Sequence, residues 1–159
     1  MRLEFEALRD SMLQAAGRLD TNMGGASVDI FKRPFSMRRT IYNFIDRKNL
    51  PATLRNFDFA IPDSTSPGRY QTTVPQQALY LMNGPFAQEQ AKKTLEHPRY
   101  SGISDPGKKI LRLYRHIYGR NPAPDEIKLA LKYLEEDTPQ RWTHYVKALM
   151  LANEFVFID

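Results

Sequence analysis

Ser104-Asp105-Pro106-Gly107-Lys108-Lys109-Ile110-Leu111-Arg112-Leu113-Tyr114-Arg115-His116-Ile117-Tyr118-Gly119 carries its own start, period and stop. Ser104-Asp105 offers side-chain oxygen to the free amides of a helix start, and Pro106 suits a first turn where its missing N–H is not needed. Ile110, Leu111, Tyr114 and Ile117 recur at three and four residues and cover one face, and Gly119 ends the run. The same grammar repeats on both sides. Pro124 with Asp125-Glu126 opens a helix with Ile127, Leu131 and Leu134 inward, its carboxylates at the positive end. Thr138-Pro139 opens another through Trp142, Tyr145, Val146, Leu149 and Met150. Upstream, Thr73 caps a helix with Pro75 in its first turn that stops at Asn83-Gly84, and Pro85 restarts one carrying Phe86, Gln90 and Leu95 to about His97. Phe5, Leu8, Met12, Ala15 and Leu19 define a first helix with Gly17 near its end.

The remaining text is irregular. Thr21-Asn22-Met23-Gly24-Gly25-Ala26-Ser27 reads as a turn, since its glycine pair lacks the lysine and the strand-to-helix setting of a phosphate loop. Thr40-Ile41-Tyr42-Asn43-Phe44-Ile45 is β-branched and aromatic; six residues fit a short strand or one and a half helical turns, which periodicity does not separate, and the composition leans towards the strand. Residues 50–75 hold Pro51, Pro62, Pro67 and Pro75, so no long helix crosses them, and only Ala52 to Asn56 is left for one short turn. The closing Phe155-Val156-Phe157-Ile158 is apolar enough to be pinned against the body. The predicted fold is mainly α: an irregular helical bundle forming a single domain over 1–159, with a long ordered Pro-rich loop and at most a short two-stranded β element pairing residues 40–45 with that loop.

Composition narrows the function by exclusion. The chain has 159 residues, 42% apolar and 26% charged, enough for a core that needs neither disulfide nor metal. With no cysteine, disulfides, thiolate nucleophiles, iron–sulfur clusters, zinc–thiolate sites and covalently attached haem are all excluded. No apolar run approaches the roughly 18 residues a membrane span needs, and Arg2-Leu3-Glu4-Phe5-Glu6 is not a secretory signal. The net charge of +5 is diffuse: residues 1–70 carry 11 Lys and Arg against 8 Asp and Glu, residues 71–159 carry 12 against 10. A phosphate-binding face needs a clustered stripe, so nucleic acid is not an expected partner.

Phe57-Asp58, Ser66-Pro67-Gly68-Arg69, Thr72-Thr73-Val74-Pro75-Gln76-Gln77-Ala78-Leu79 and Met82-Asn83-Gly84-Pro85-Phe86 together resemble a known family. It is the C-terminal domain of unknown function of large exported planctomycete-type proteins, often linked to cytochrome-c-like modules. Arg38-Arg39-Thr40-Ile41-Tyr42 is similar to that family's Arg-Arg-Ser-hydrophobic-Tyr stretch. Arg2-Leu3-Glu4, Ala7-Leu8-Arg9-Asp10 and Gly17-Arg18-Leu19 resemble its opening helix, and Leu113-Tyr114, Gly119-Arg120 and Asn153-Glu154-Phe155 its end. The resemblance implies that the chain is the C-terminal part of a longer exported protein, periplasmic or at the cell surface, whose haem would belong to another module. Many members read Cys-Pro-Arg-Arg where this chain has Ser66-Pro67-Gly68-Arg69, which argues against any site needing that thiol.

The candidate binding residues lie in or beside the irregular segments: Arg38, Arg39, Asp58, Asp63, Arg69, Tyr70 and Asn83, with Ser66, Thr72, Thr73 and Gln76 around them. Converging arginines could clamp an anion through their planar donor forks. The competing structural account has Asp58 and Asp63 neutralising Arg38, Arg39 and Arg69 and tying the loop to the helices, and it is the favoured one. Tyr70 is the aromatic expected to be exposed, where it could stack on a sugar ring. His97, His116 and His144 lie on separate predicted helices without ligand spacing, so no metal and no cofactor is expected. Ser66 lacks the Gly-x-Ser-x-Gly frame of a nucleophile elbow. The leading functional reading is a non-catalytic interaction or scaffold module whose partners are neighbouring modules of the same parent. The alternative is a hydrolytic or anionic-ligand-binding domain acting on an extracellular polymer, with an anionic or carbohydrate ligand at Asp58, Asp63 and Arg69.

Overall fold

The computed structural model describes residues 1–65 and 67–158, so Ser66 and Asp159 lie outside the described residues. The described residues form nine α-helices and one 3-10 turn, mainly helical as the period of the apolar residues predicts. They are α1 (Phe5–Ala15), α2 (Ala52–Asn56), α3 (Pro75–Asn83), α4 (Pro85–Glu96), α5 (Pro98–Ser101), α6 (Pro106–Ile117), α7 (Pro124–Tyr133), α8 (Pro139–Leu151) and α9 (Asn153–Val156), with the 3-10 turn at Thr40–Tyr42. Six of the eleven prolines stand at the first position of a helix, where a fixed φ favours the turn, and so set where six helices begin. Asp105 and Thr138 cap α6 and α8 through their side chains, accepting from the amides of Lys108 at 3.1 Å and Arg141 at 3.2 Å.

Several expectations are corrected. Thr73 does not cap α3. The cap position is Val74, whose amide donates to Gln77 Oε1 at 3.4 Å, and buried Gln77 also donates to the Asn56 carbonyl at 2.8 Å, clamping the end of α2 to the start of α3. Thr40–Tyr42 is a 3-10 turn rather than extended, because Asp10 of α1 captures both the Thr40 amide at 2.8 Å and its hydroxyl at 2.6 Å. That tertiary capture outweighs β propensity. Ladder pairing is confined, among the described residues, to isolated bridges between Asp20 and Arg38, Val28 and Asn43, and Arg2 and Phe157, none of which involves the Pro-rich loop. The first helix stops at Ala15 rather than running towards Leu19, because Gly17 turns left-handed at φ 66°. A Cβ on Gly17 would also lie 2.8 Å from His97 Cδ2, so α1 ends against the loop that follows α4.

One apolar cluster runs from Phe5 to Val156. Its centre is the packing of α4 on α8, with α1 across α4. The inner face of α4 is Ala87, Gln90, Ala91 and Thr94, short or polar enough for α8 to bring Trp142, Val146 and Met150 close. The closing Phe155–Ile158 stretch is pinned through a helical turn. Helical turn α9 buries Val156, leaves Phe155 half-buried against the core and exposes Phe157. The Leu3 amide then donates to the Val156 carbonyl at 2.8 Å, and the Ile158 amide to the Met1 carbonyl at 2.8 Å.

Candidate functional site

The charged residues of the loop are tied down one by one, and their partners lie far away in sequence. Asp58 is held by Arg2, whose Nη2 donates to Oδ2 at 2.9 Å, while Thr72 donates its amide to Oδ2 at 2.9 Å and its hydroxyl to Oδ1 at 2.7 Å. The Arg2 and Asp58 side chains are only 6% and 14% exposed, and Arg2 also lies over the Phe57 ring at 5.2 Å. The expected partners Arg38, Arg39 and Arg69 are therefore replaced by an arginine at the other end of the chain. Asp63 is exposed and forms no ion pair among the described residues.

Arg69 turns to α1. Its guanidinium pairs with both oxygens of Glu6, at 2.8 and 3.0 Å, reaches Glu4 at 3.2 Å and lies 4.7 Å over the Phe59 ring. The hydrogen bond to Glu6 raises its pKa above the ordinary value. Arg39 sits 3.7 Å from Asp10. Arg38 covers the Tyr42 ring at 4.0 Å and donates to the carbonyls of Ala26 and Gly24, closing the glycine turn. Arg39 and Arg69 do share a wall: both line a depression of about 440 Å³ together with Glu4, Glu6 and Asp10. Two arginines facing three carboxylates leave that depression without the positive field an anion needs. Tyr70, 85% exposed, and exposed Asn83 line neither this depression nor the larger one beside it.

The histidines are placed apart by their own contacts. His97 Nδ1 accepts from the Arg99 amide at 3.2 Å and caps α5. His116 Nε2 lies 2.9 Å from the Ala15 carbonyl, which can only accept, and its Nδ1 lies 3.0 Å from the Arg99 guanidinium, which can only donate, so the proton sits on Nε2. Among the described residues no three His, Asp or Glu side chains are grouped to hold a metal ion, and no helix is long and apolar enough to cross a membrane.

Two arginines outside the expected set matter more. Arg120 links Glu126 of α7 to Glu154 of α9, with contacts of 2.6 to 2.8 Å to both carboxylates. Arg9 is 3% exposed. It donates to the carbonyls of Ser36 and Arg38 and to Thr40 Oγ1 at 3.1 Å, lies 4.8 Å over the Phe86 ring and has Asp10 at 3.8 Å. Burial drives its pKa down to about 10, with Asp10 and Tyr80 opposing. The signal for Arg9 was in the sequence: it falls four residues after Phe5 and three before Met12, on the apolar stripe of α1. Arg9 lines a cavity of about 360 Å³ enclosed by α1, the chain around Ile30 to Phe35, and the junction of α3 with α4. Gly84 makes that junction possible, since a Cβ there would stand 2.6 Å from the Tyr80 carbonyl.

The motif residues thus pair with one another: Arg2 with Asp58 and Thr72, Arg9 and Asp10 with Thr40, Arg120 with Glu154. The family described as PSD1, protein of unknown function (DUF1553), matches residues 1–134. The chain belongs to this family. No curated protein and no solved structure matches it.

Proposed function

We propose that this PSD1 domain is a non-catalytic interaction or scaffold module of a larger exported protein. The observation that carries the reading is that Asp58 and Arg69, the groups a hydrolytic or anion-binding site would need, are held in ion pairs within the chain and do not meet Asp63. Three of the acceptor positions of the Asp58 carboxylate are taken by a buried arginine and a threonine, which makes it an anchor for the loop. Beside the depression where Arg39 and Arg69 sit, Ile41 and Phe44 remain 72% and 59% exposed, an apolar step of the kind that partner modules cover. The motifs of the opening helix, the Pro-rich loop and the chain end support placing it in planctomycete-type exported proteins, next to cytochrome-c-like modules.

The test is hydrogen exchange on the domain alone and within its parent protein. Amides of 41–44 become protected in the parent if they face a neighbouring module. Equal exchange in both contexts, together with turnover of an extracellular polysaccharide that Asp58→Asn abolishes in a folded protein, would establish the hydrolytic reading instead.

A further inference from the structure

The cavity between α1 and the α3–α4 junction has a body and a head of different chemistry. Its body is aromatic and aliphatic, with Phe5, Ile30, Phe31, Phe35 and Phe86 among its walls. Its polar groups are Arg9, Thr53 and Tyr80, and burial raises the Tyr80 hydroxyl above its ordinary pKa while Thr53 and Arg9 pull it back. Exposed Arg33 and Pro85 also contribute to the lining, so the cavity reaches solvent on their side. At about 360 Å³ it lies within the range of small-ligand pockets, roughly 300 to 1,000 Å³.

The buried guanidinium tells what the head should be. A charge withdrawn from water needs an opposite charge in contact, and the hydrogen bonds of Arg9 end on neutral oxygens of Ser36, Arg38 and Thr40. The nearest carboxylate, Asp10, is 3.8 Å away and itself accepts two hydrogen bonds from Thr40. A phosphate would bring nearly two charges into an apolar chamber with one buried cation, whereas a carboxylate brings one and matches the planar fork of an arginine. We propose that this cavity is a binding site for an amphipathic monocarboxylate, its carboxylate drawn to Arg9 and its hydrocarbon body filling the aromatic chamber, with Arg33 favouring entry of the anion.

Titration of the purified protein with decanoate, followed by the methionine methyl signals in carbon–proton NMR, tests this directly. Met12 lines the cavity, while Met23, Met37 and Met82 are exposed elsewhere. Decanoate should shift Met12 saturably and bind roughly tenfold or more tightly than decanol, which has the body without the charge. Acetate, with the charge and no body, should leave Met12 unmoved. Arg33→Ala, a change at an exposed position, should weaken decanoate and not decanol. Arg9→Met, if circular dichroism shows it folded, should bring decanoate down to decanol. If that variant fails to fold, the decanoate-to-decanol ratio of the parent and of Arg33→Ala decides alone. Equal affinity for the two, no saturable change at Met12, or shifts only at Met23, Met37 and Met82 overturns the proposal.

Discussion

Asp58 takes the left-handed conformation, φ 59°, and from it accepts the hydrogen bonds of Arg2 and Thr72. Asparagine tolerates that backbone almost as well, so Asp58→Asn isolates the loss of charge and leaves Arg2 buried without its counter-ion. It should cost about 3 to 5 kcal/mol in urea unfolding, and Asp58→Ala should cost a further ~1 kcal/mol or so because alanine resists positive φ. A fall within a few tenths of a kcal/mol for either would mean the pair is dispensable. That an aspartate here holds the Pro-rich loop was legible in the sequence. That its partner is Arg2 was not, because a contact spanning 56 residues leaves no periodic trace. Arg9 was missed for a different reason: a cation on the apolar stripe of a helix is ordinarily assumed to reach for water along its stem.

Helix starts were readable because they are local chemistry. A proline or a side-chain cap acts over three or four residues, and the starts of α4, α6, α7 and α8 fall where Pro85, Asp105, Pro124 and Thr138 place them. The exceptions include Thr40–Tyr42, bent from afar by Asp10, and the start of α3, where Val74 and not Thr73 takes the cap position. Stability of the α6–α7 turn should depend on pH. Glu126 is held down at about 2, chiefly by its hydrogen bond from Arg120, against an ordinary 4.5. A depressed carboxylate stabilises above its unfolded pKa and loses that contribution as the folded pKa is approached, so the effect fades between about pH 4.5 and 2. Melting temperature followed down that range should fall less steeply in Glu126→Gln than in the parent, and less steeply in high salt, since the pair is near the surface. At the end of α1, Gly17→Ala meets both a positive φ and His97, whereas Gly24→Ala meets only a positive φ of 79°. Each should destabilise by roughly 1 kcal/mol or more, with Gly17→Ala the worse in thermal unfolding, and equal losses would show that His97 yields at no cost.

At the scale of the molecule, Met1 to Leu3 and Val156 to Ile158 are joined to each other and to the core. Deleting residues 153–158 removes buried Val156, the carbonyl that Leu3 bonds and the Glu154 arm of Arg120. The melting temperature should drop by roughly 5 to 10 °C, while Phe155→Ala, at a half-buried position, should lower it by less. No change on deletion would mean that α1 needs no support from the end of the chain. The Arg2–Phe157 bridge is antiparallel, so Met1 and Ile158 leave the body side by side from one edge. Tension drawing those two ends apart therefore loads the Ile158–Met1 rung first and the Leu3–Val156 rung after it, instead of sharing the force between them. Rungs opened in succession yield at low force, and on the N-terminal side the Arg2–Asp58 clasp stands between the two. Under a pull the domain would peel from its ends inwards and lengthen well before its helical centre gives way.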